Sequence, residues 1–243
     1  MNAYQELESR FRRINALGQA TGMLHWDMSV MMPPGGAEAR AEQLAVLKVT
    51  GHEMLTHPAM GELLDKAQDA AMSGEGGLDD WQRANLREMR RTWLHATAVP
   101  PRLVEALTKA SAASEQVWRK ARPASDFKML LPHIREVLKL SREMAAVKAA
   151  KLGLPLYDAL LDQYEPGMRS ARIDTMFDSL AAFLPGFLAQ ALEKQNRRPK
   201  PVPLPGPFPA DKQRALGRRL MESIGFDFAH GRLDESAHPF TGG

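Results

Sequence analysis

The stretch from Ala3 to Met31, AYQELESRFRRINALGQATGMLHWDMSVM, decides the fold class of this chain. Apolar side chains recur in it at intervals of three, four and seven residues, at Leu7, Phe11, Ile14, Leu17 and Leu24. This spacing places them on one face of a helix, so the stretch predicts a long amphipathic α-helix. The run PPGG at residues 33–36 is predicted to end it, because these residue types break helices.

The same periodicity recurs along most of the chain and predicts an all-α array of long antiparallel helices with short turns. Further helices are predicted at residues 37–57, 59–73, 80–98, 101–122, 126–152, 174–196 and 210–224, with a short one beginning near Tyr157. Pro132 leaves two possibilities open, a kink inside its helix or a helix start at that residue. Little strand is predicted, and any short strands are expected near Leu233 to Phe240.

Two segments depart from the helical pattern. Every second residue from Pro199 to Pro209 is proline, so the stretch from Arg197 to Pro209 is predicted to be extended and polyproline-like. It could be a recognition sequence or a stiff strap between helices. Residues 225–243, GFDFAHGRLDESAHPFTGG, have neither a helical nor a strand period. Irregular segments of this kind often carry sites, so we expect this one to lead toward a site completed by sequence beyond Gly243.

Composition narrows the classes of function. The net charge of +3 is too small to indicate a nucleic-acid partner, and no basic run is interleaved with aromatic residues. The absence of cysteine excludes disulfides, zinc thiolates and thiol catalysis. Residues 1–13 are polar and contain no apolar signal core, and we recognise no apolar run long enough to span a membrane. A cytoplasmic protein that binds neither nucleic acid nor membrane is therefore expected.

The segment HEMLTH, from His52 to His57, is similar to the zinc-protease motif His-Glu-x-x-His but has one residue too many. Two imidazoles reach one ion from a helix when they are four residues apart, about 40° around the axis, whereas five residues separate them by about 140°. Pro58 also ends the helix at His57. No metal role is therefore expected for this pair.

Three other polar segments have a structural interpretation that is simpler than a functional one. Trp26, beside Asp27, is interpreted as a packing residue with a satisfied indole N–H. Arg87, Arg90 and Arg91 are expected on a solvated face with local ion pairs. Residues 157–167, YDALLDQYEPG, crowd carboxylates and tyrosines, and two interpretations stay open there: a paired-carboxylate acid/base site, or a capped, hydrogen-bonded corner.

Seven blocks together resemble the carboxypeptidase Taq family of metallocarboxypeptidases, in the family's order along the whole chain. They are residues 4–7 (YQEL), 24–27 (LHWD), 32–40 (MPPGGAEAR), 157–167 (YDALLDQYEPG), 225–227 (GFD), 231–234 (GRLD) and 236–240 (SAHPF). The resemblance implies a mostly helical enzyme, a homodimer with subunits of roughly twice this length. It also implies zinc or another divalent metal, and a peptide substrate that loses residues one at a time from its C-terminus.

In the family, the His-Pro-Phe block is followed by an Asp-x-Arg-x-Thr segment and by the His-Glu-x-x-His helix with two zinc ligands and the general base. A later Glu is the third ligand. None of these is in this sequence. The resemblance therefore assigns no catalytic and no metal-binding residue to it. It implies that residues 1–243 are the helical N-terminal part of the enzyme, inactive alone.

The residues that the resemblance assigns to substrate binding are His238, Pro239 and Phe240. Pro239 favours extended backbone at His238, and Phe240 can bury its ring and anchor the segment. The imidazole is then expected to donate a hydrogen bond to the peptide; alternatively, His238 only satisfies a backbone carbonyl. A second function also stays open for the isolated chain, that of a non-catalytic helical module for dimerisation or scaffolding.

Overall fold

In a computed structural model, which describes residues 2–74, 77–236 and 239, all regular structure is helical. These residues form nine α-helices and one 3-10 turn (Pro34–Gly36). The α-helices are α1 (Ala3–Val30), α2 (Ala37–Thr56), α3 (Pro58–Ser73), α4 (Asp80–Thr97), α5 (Pro101–Ala121), α6 (Phe127–Leu152), α7 (Leu156–Leu161), α8 (Ser170–Asn196) and α9 (Ala210–Ser223). The all-α prediction is confirmed. Residues 233–236, where a short strand was considered, are irregular.

Polar side chains cap the N-termini of several helices. Asn2 and Gln5 form a reciprocal capping box at the start of α1, and Asp79 forms one with Gln82 at the start of α4. These bonds satisfy amide groups that have no partner inside the helix. Pro132 lies inside α6, so the alternative of a helix start at that residue is wrong.

The chain divides into two compact units: the first contains the described residues up to Arg169 together with Pro239, and the second runs from Ser170 to Ser236. The core of the first unit lies mainly between α1, α3 and α4, where eight buried side chains meet: Tyr4, Leu7, Met60, Leu64, Ala67, Leu78, Leu86 and Met89. A smaller cluster joins α5 to α6 through Val99, Leu103 and Leu140. These clusters hold the helices that carry the candidate site.

An ion pair fixes the connection between α1 and α2. Arg40 Nη1 lies 2.6 Å from Asp27 Oδ2 and donates to the Leu24 carbonyl oxygen at 2.8 Å. The guanidinium therefore ties the last turns of α1 to the first turn of α2 across the proline-glycine turn. Asp27 and Arg40 belong to separate blocks of the family resemblance. Their ion pair gives a physical reason why both residues are needed in a chain of this fold. Trp26, directly before Asp27 in sequence, is half-buried.

The second unit consists of α8, the strap between Arg197 and Pro209, α9 and an irregular segment. The strap contains neither helix nor strand, as predicted. No residue of α8 is buried, and its apolar side chains Phe177, Phe183 and Phe187 are all more than half exposed. By length and composition α8 could also cross a membrane, which the sequence reading did not anticipate.

One close helix contact gives a test of the packing. Gly61 on α3 faces Trp93 of α4, and a Cβ placed there would lie 2.9 Å from Trp93 Cζ2. Gly51 on α2 provides the matched control, because a Cβ there would meet nothing within 4 Å. We expect Gly51→Ala to stabilise the chain by about 0.5–1 kcal/mol through helix propensity.

Gly61→Ala should instead lower stability by about 1–3 kcal/mol, because the indole must move out of its packed position. Urea unfolding followed by circular dichroism measures both variants. Equal stabilisation by the two substitutions would show that α3 and α4 do not pack as closely as described.

Candidate functional site

A buried pair, His95 of α4 and Asp162 after α7, forms the polar centre of the first unit. His95 Nε2 lies 2.9 Å from Asp162 Oδ2, and the two residues are only 4% and 8% exposed. Asp162 Oδ1 accepts hydrogen bonds from the Gly167 amide and from Arg169 Nη1, both at 3.0 Å. Asp162 thus organises residues 157–167 as the hydrogen-bonded corner that was the simpler of the two sequence interpretations.

The surroundings of Asp162 determine its charge. Burial is the largest single influence and would raise its pKa, but the hydrogen bonds from His95, Arg169 and Gly167 together lower the pKa to about 2. The carboxylate is therefore ionised at neutral pH and only accepts hydrogen bonds. It follows that His95 carries its proton on Nε2, and this N–H donates a hydrogen bond to Asp162.

His95 itself is neutral at neutral pH. Burial lowers its pKa below 6.5 and outweighs the opposing hydrogen bond to Asp162. With the proton on Nε2, the other ring nitrogen, Nδ1, is a hydrogen-bond acceptor. Nδ1 is buried and has no partner among the described residues. The imidazole is thus held in one orientation with an acceptor available to another molecule.

On one side of this pair lies a basic cavity of about 300 Å³ whose lining includes Arg87, Arg90, Arg91 and Arg169. Arg90 is paired with Asp65 of α3 at 2.7 Å. Arg91 donates to Glu88 at 2.8 Å and to the Asp162 carbonyl oxygen at 2.9 Å. The prediction of a solvated face with local ion pairs is therefore correct for Arg91, which pairs with nearby Glu88, and for Arg87, which is exposed. It is wrong for Arg90, whose partner lies on another helix.

A second cavity, of about 380 Å³, lies where α2, α4, α5 and α6 approach the corner, and we name it the Lys148 cavity. Its lining residues are His52, Leu55, Arg91, Thr92, His95, Ala96, Val99, Val104, Met144, Lys148 and Gln163. Lys148 is 4% exposed and has no hydrogen-bond or ion-pair partner in the described part of the chain. Burial lowers its pKa to about 8. Its ammonium group is therefore mostly charged at neutral pH, without a counter-ion.

The two histidines of the HEMLTH segment lie in different surroundings. His52 lines the Lys148 cavity, where burial lowers its pKa and the Val99 carbonyl opposes that effect. His57 Nδ1 accepts a hydrogen bond from the Ala59 amide and caps α3. Across residues 2–74, 77–236 and 239 there is no group of three or more His, Asp or Glu side chains that could hold a metal ion. These residues do not fit the metal that the resemblance implies, and we derive no step through a metal on them.

Of the three predicted substrate-binding residues, His238 and Phe240 lie outside the described residues. Pro239 is described and is exposed. In the same segment, His230 Nδ1 lies 2.7 Å from Asp227 Oδ2 at the surface of the second unit. The prediction for residues 238–240 stays a prediction.

Sequence reasoning did not single out His95, Lys148 or Arg169. A signal was present for Lys148, because it follows Leu140 and Met144 at intervals of four on the apolar face of α6. A lysine in register with buried apolar residues indicates either a paired charge or a site. His95 and Arg169 carry no comparable local signal. Their role is to donate hydrogen bonds to Asp162, which is distant from His95 in sequence.

Comparison with known proteins gives a consistent result. The family described as "Carboxypeptidase Taq (M32) metallopeptidase" matches residues 6–243. The thermostable carboxypeptidase 1 of Thermus thermophilus is 36% identical over 98% of this chain and 48% of its own length. A solved metallocarboxypeptidase 1 of Trypanosoma cruzi has a TM-score of 0.80 and 39% identity, covering 99% of this chain and 47% of its own.

A solved carboxypeptidase of Pyrococcus furiosus, described as an apo form with Mg, has a TM-score of 0.75 and 29% identity. It covers 99% of this chain and 47% of its own. This chain thus spans about half the length of the relatives that it matches.

The charge of Asp162 predicts how stability responds to acid. The folded pKa of about 2 lies below the ordinary value of 3.8, so the stabilisation is complete above about pH 4 and is lost as the pH falls toward 2. Asp162→Asn should therefore flatten this acid dependence and lower stability at neutral pH by about 2 kcal/mol. Urea unfolding as a function of pH measures both effects.

Asp65→Asn provides the control, because Asp65 forms an exposed ion pair with Arg90. It should reduce stability by less than about 1 kcal/mol. If Asp162→Asn kept the acid dependence of the unmodified chain, Asp162 would not be the group that titrates.

Proposed function

Because this chain belongs to the carboxypeptidase Taq (M32) metallopeptidase family, we propose that its protein is a metal-dependent carboxypeptidase that releases amino acids from peptide C-termini. The observation that carries the proposal is the family match, which extends from residue 6 to residue 243. The named relatives are carboxypeptidases from a bacterium, an archaeon and a protozoan, and they align over nearly all of this chain.

We propose that the metal ligands of this carboxypeptidase are not among the described residues. Those residues offer no ligand set for a metal ion, whereas the aligned relatives are about twice as long. We propose zinc as the metal, one divalent ion compatible with the family. When bound, such an ion polarises the scissile carbonyl and activates a water molecule. The helices described above would then form one wall of the peptide groove and position its side chains.

Two further properties belong to the same proposal. The family resemblance supports a homodimer. The absence of cysteine is compatible with a reducing cytoplasm, where structural disulfides are rare.

The proposal predicts a difference between two preparations. The 243-residue chain alone should release no C-terminal amino acid from N-terminally blocked peptides, even with added zinc, because no group of three or more ligating side chains occurs among its described residues. The second preparation is the protein expressed from the gene together with its natural downstream DNA. It should release the C-terminal amino acid, and a chelator should abolish this activity. Chromatography of the released amino acid measures both, with the Thermus enzyme as the positive control.

Turnover by the 243-residue chain alone would show that it contains a complete metal site. No turnover by the longer product, once folded and loaded with metal, would favour the alternative function. That alternative is a non-catalytic helical module, and the exposed apolar side chains of α8 are the observation in its favour.

His238 is proposed to donate a hydrogen bond to the peptide. In the active longer product, His238→Ala should lower kcat/KM by about ten- to a thousandfold, as expected for loss of one substrate- or transition-state-directed hydrogen bond. Metal content should not change. His230→Ala is the matched control, because His230 lies in the same segment and already pairs with Asp227. If kcat/KM of the His238→Ala variant were unchanged, His238 would be a structural residue. If the variant lost its metal, His238 would instead stabilise the metal site.

A further inference from the structure

We propose that the Lys148 cavity binds a small carboxylic acid with an apolar side chain and an α-amino or α-hydroxyl group. The inference stands on residues of the first unit alone. It does not depend on carboxypeptidase activity, and nothing in the proposed reaction uses these residues.

The first observation is the cation. Lys148 is 4% exposed, lines the cavity and has no partner among the described residues. The desolvation that lowers the Lys148 pKa disfavours its charged form, so an anion that paired with the ammonium group in the cavity would stabilise it. Arg91 also lines the cavity, but its guanidinium already donates to Glu88 and to the Asp162 carbonyl oxygen. The anion is therefore expected to pair with Lys148.

The second observation is the acceptor. His95 also lines the cavity, and its buried Nδ1 has no donor within the described chain. Because Asp162 holds the ring proton on Nε2, Nδ1 can accept a hydrogen bond only from an N–H or O–H group outside the described residues. Chloride and fully ionised sulfate have no such group. An α-amino or α-hydroxy acid carries both the anion and the donor on neighbouring atoms.

The third observation is the remaining wall. Leu55, Val99 and Met144 give the cavity an apolar side, and Val99 is buried in the smaller core cluster. A volume of about 380 Å³ is at the lower end of the range for small-molecule sites. An apolar side chain of the ligand would contact this wall. Leucine and its hydroxy-acid analogue have the required combination of groups.

Calorimetric titration of the 243-residue chain with three probes tests the proposal. L-Leucine and 2-hydroxy-4-methylpentanoate should bind saturably. The third probe, 4-methylpentanoate, has the same carboxylate and side chain but no α-donor, and it should bind at least about tenfold more weakly because His95 Nδ1 stays unpaired. A preference between the first two probes identifies the donor as an ammonium or a hydroxyl group.

Two lysine variants on the same helix isolate the cation. Lys148→Met should weaken leucine binding by at least about tenfold. Its thermal midpoint should rise, since the substitution removes an unpaired buried charge, and this rise shows that the variant is folded. Lys151→Met is the matched control, because Lys151 is exposed on α6, and it should bind leucine like the unmodified chain.

Three results would overturn the proposal. The first is no saturable binding of any probe at concentrations on the order of 10 mM, which corresponds to less than about 3 kcal/mol of binding. The second is equal affinity of the Lys148→Met variant for leucine. The third is displacement of leucine by chloride as effectively as by the hydroxy acid, which would indicate a non-selective anion site.

Discussion

The buried carboxylate of Asp162 is the constraint on which the candidate site depends. It accepts hydrogen bonds from a histidine of α4, an arginine beyond α7 and a backbone amide of its own corner. Without these donors, an ionised carboxylate this deeply buried would be strongly unfavourable. The three donors therefore have to be brought to one point as the chain folds. This requirement fixes the position of α4 relative to the corner and the tautomer of His95.

The architecture was predictable from local patterns. The apolar spacing between Ala3 and Met31 and the alternating prolines after Arg197 each act within a few residues of the chain. Such signals do not require knowledge of what packs against them. The predicted helix boundaries were consequently close to those observed, although α8 begins at Ser170 rather than at Asp174.

The candidate site was predictable only in part. The family resemblance pointed to the corner at residues 157–167 and to the segment around His238, but not to His95 or Lys148. The role of His95 depends on a partner 67 residues away in sequence. The role of Lys148 depends on its lacking a partner among the residues that the structure describes, which is a property of the packed helices rather than of any motif. Helical periodicity places a residue on a face, but it does not determine what that face meets.

The strap between the two helices of the second unit affects how the chain meets other molecules. Each proline removes a backbone amide hydrogen, so alternate positions from Pro199 to Pro209 cannot donate to a neighbouring strand. The strap therefore offers no continuous edge on which a second polypeptide could build a β-sheet. Two helices with exposed apolar side chains are thus joined by a linker that resists β-aggregation. Self-association of this region would therefore have to use surfaces other than the backbone edge of the strap.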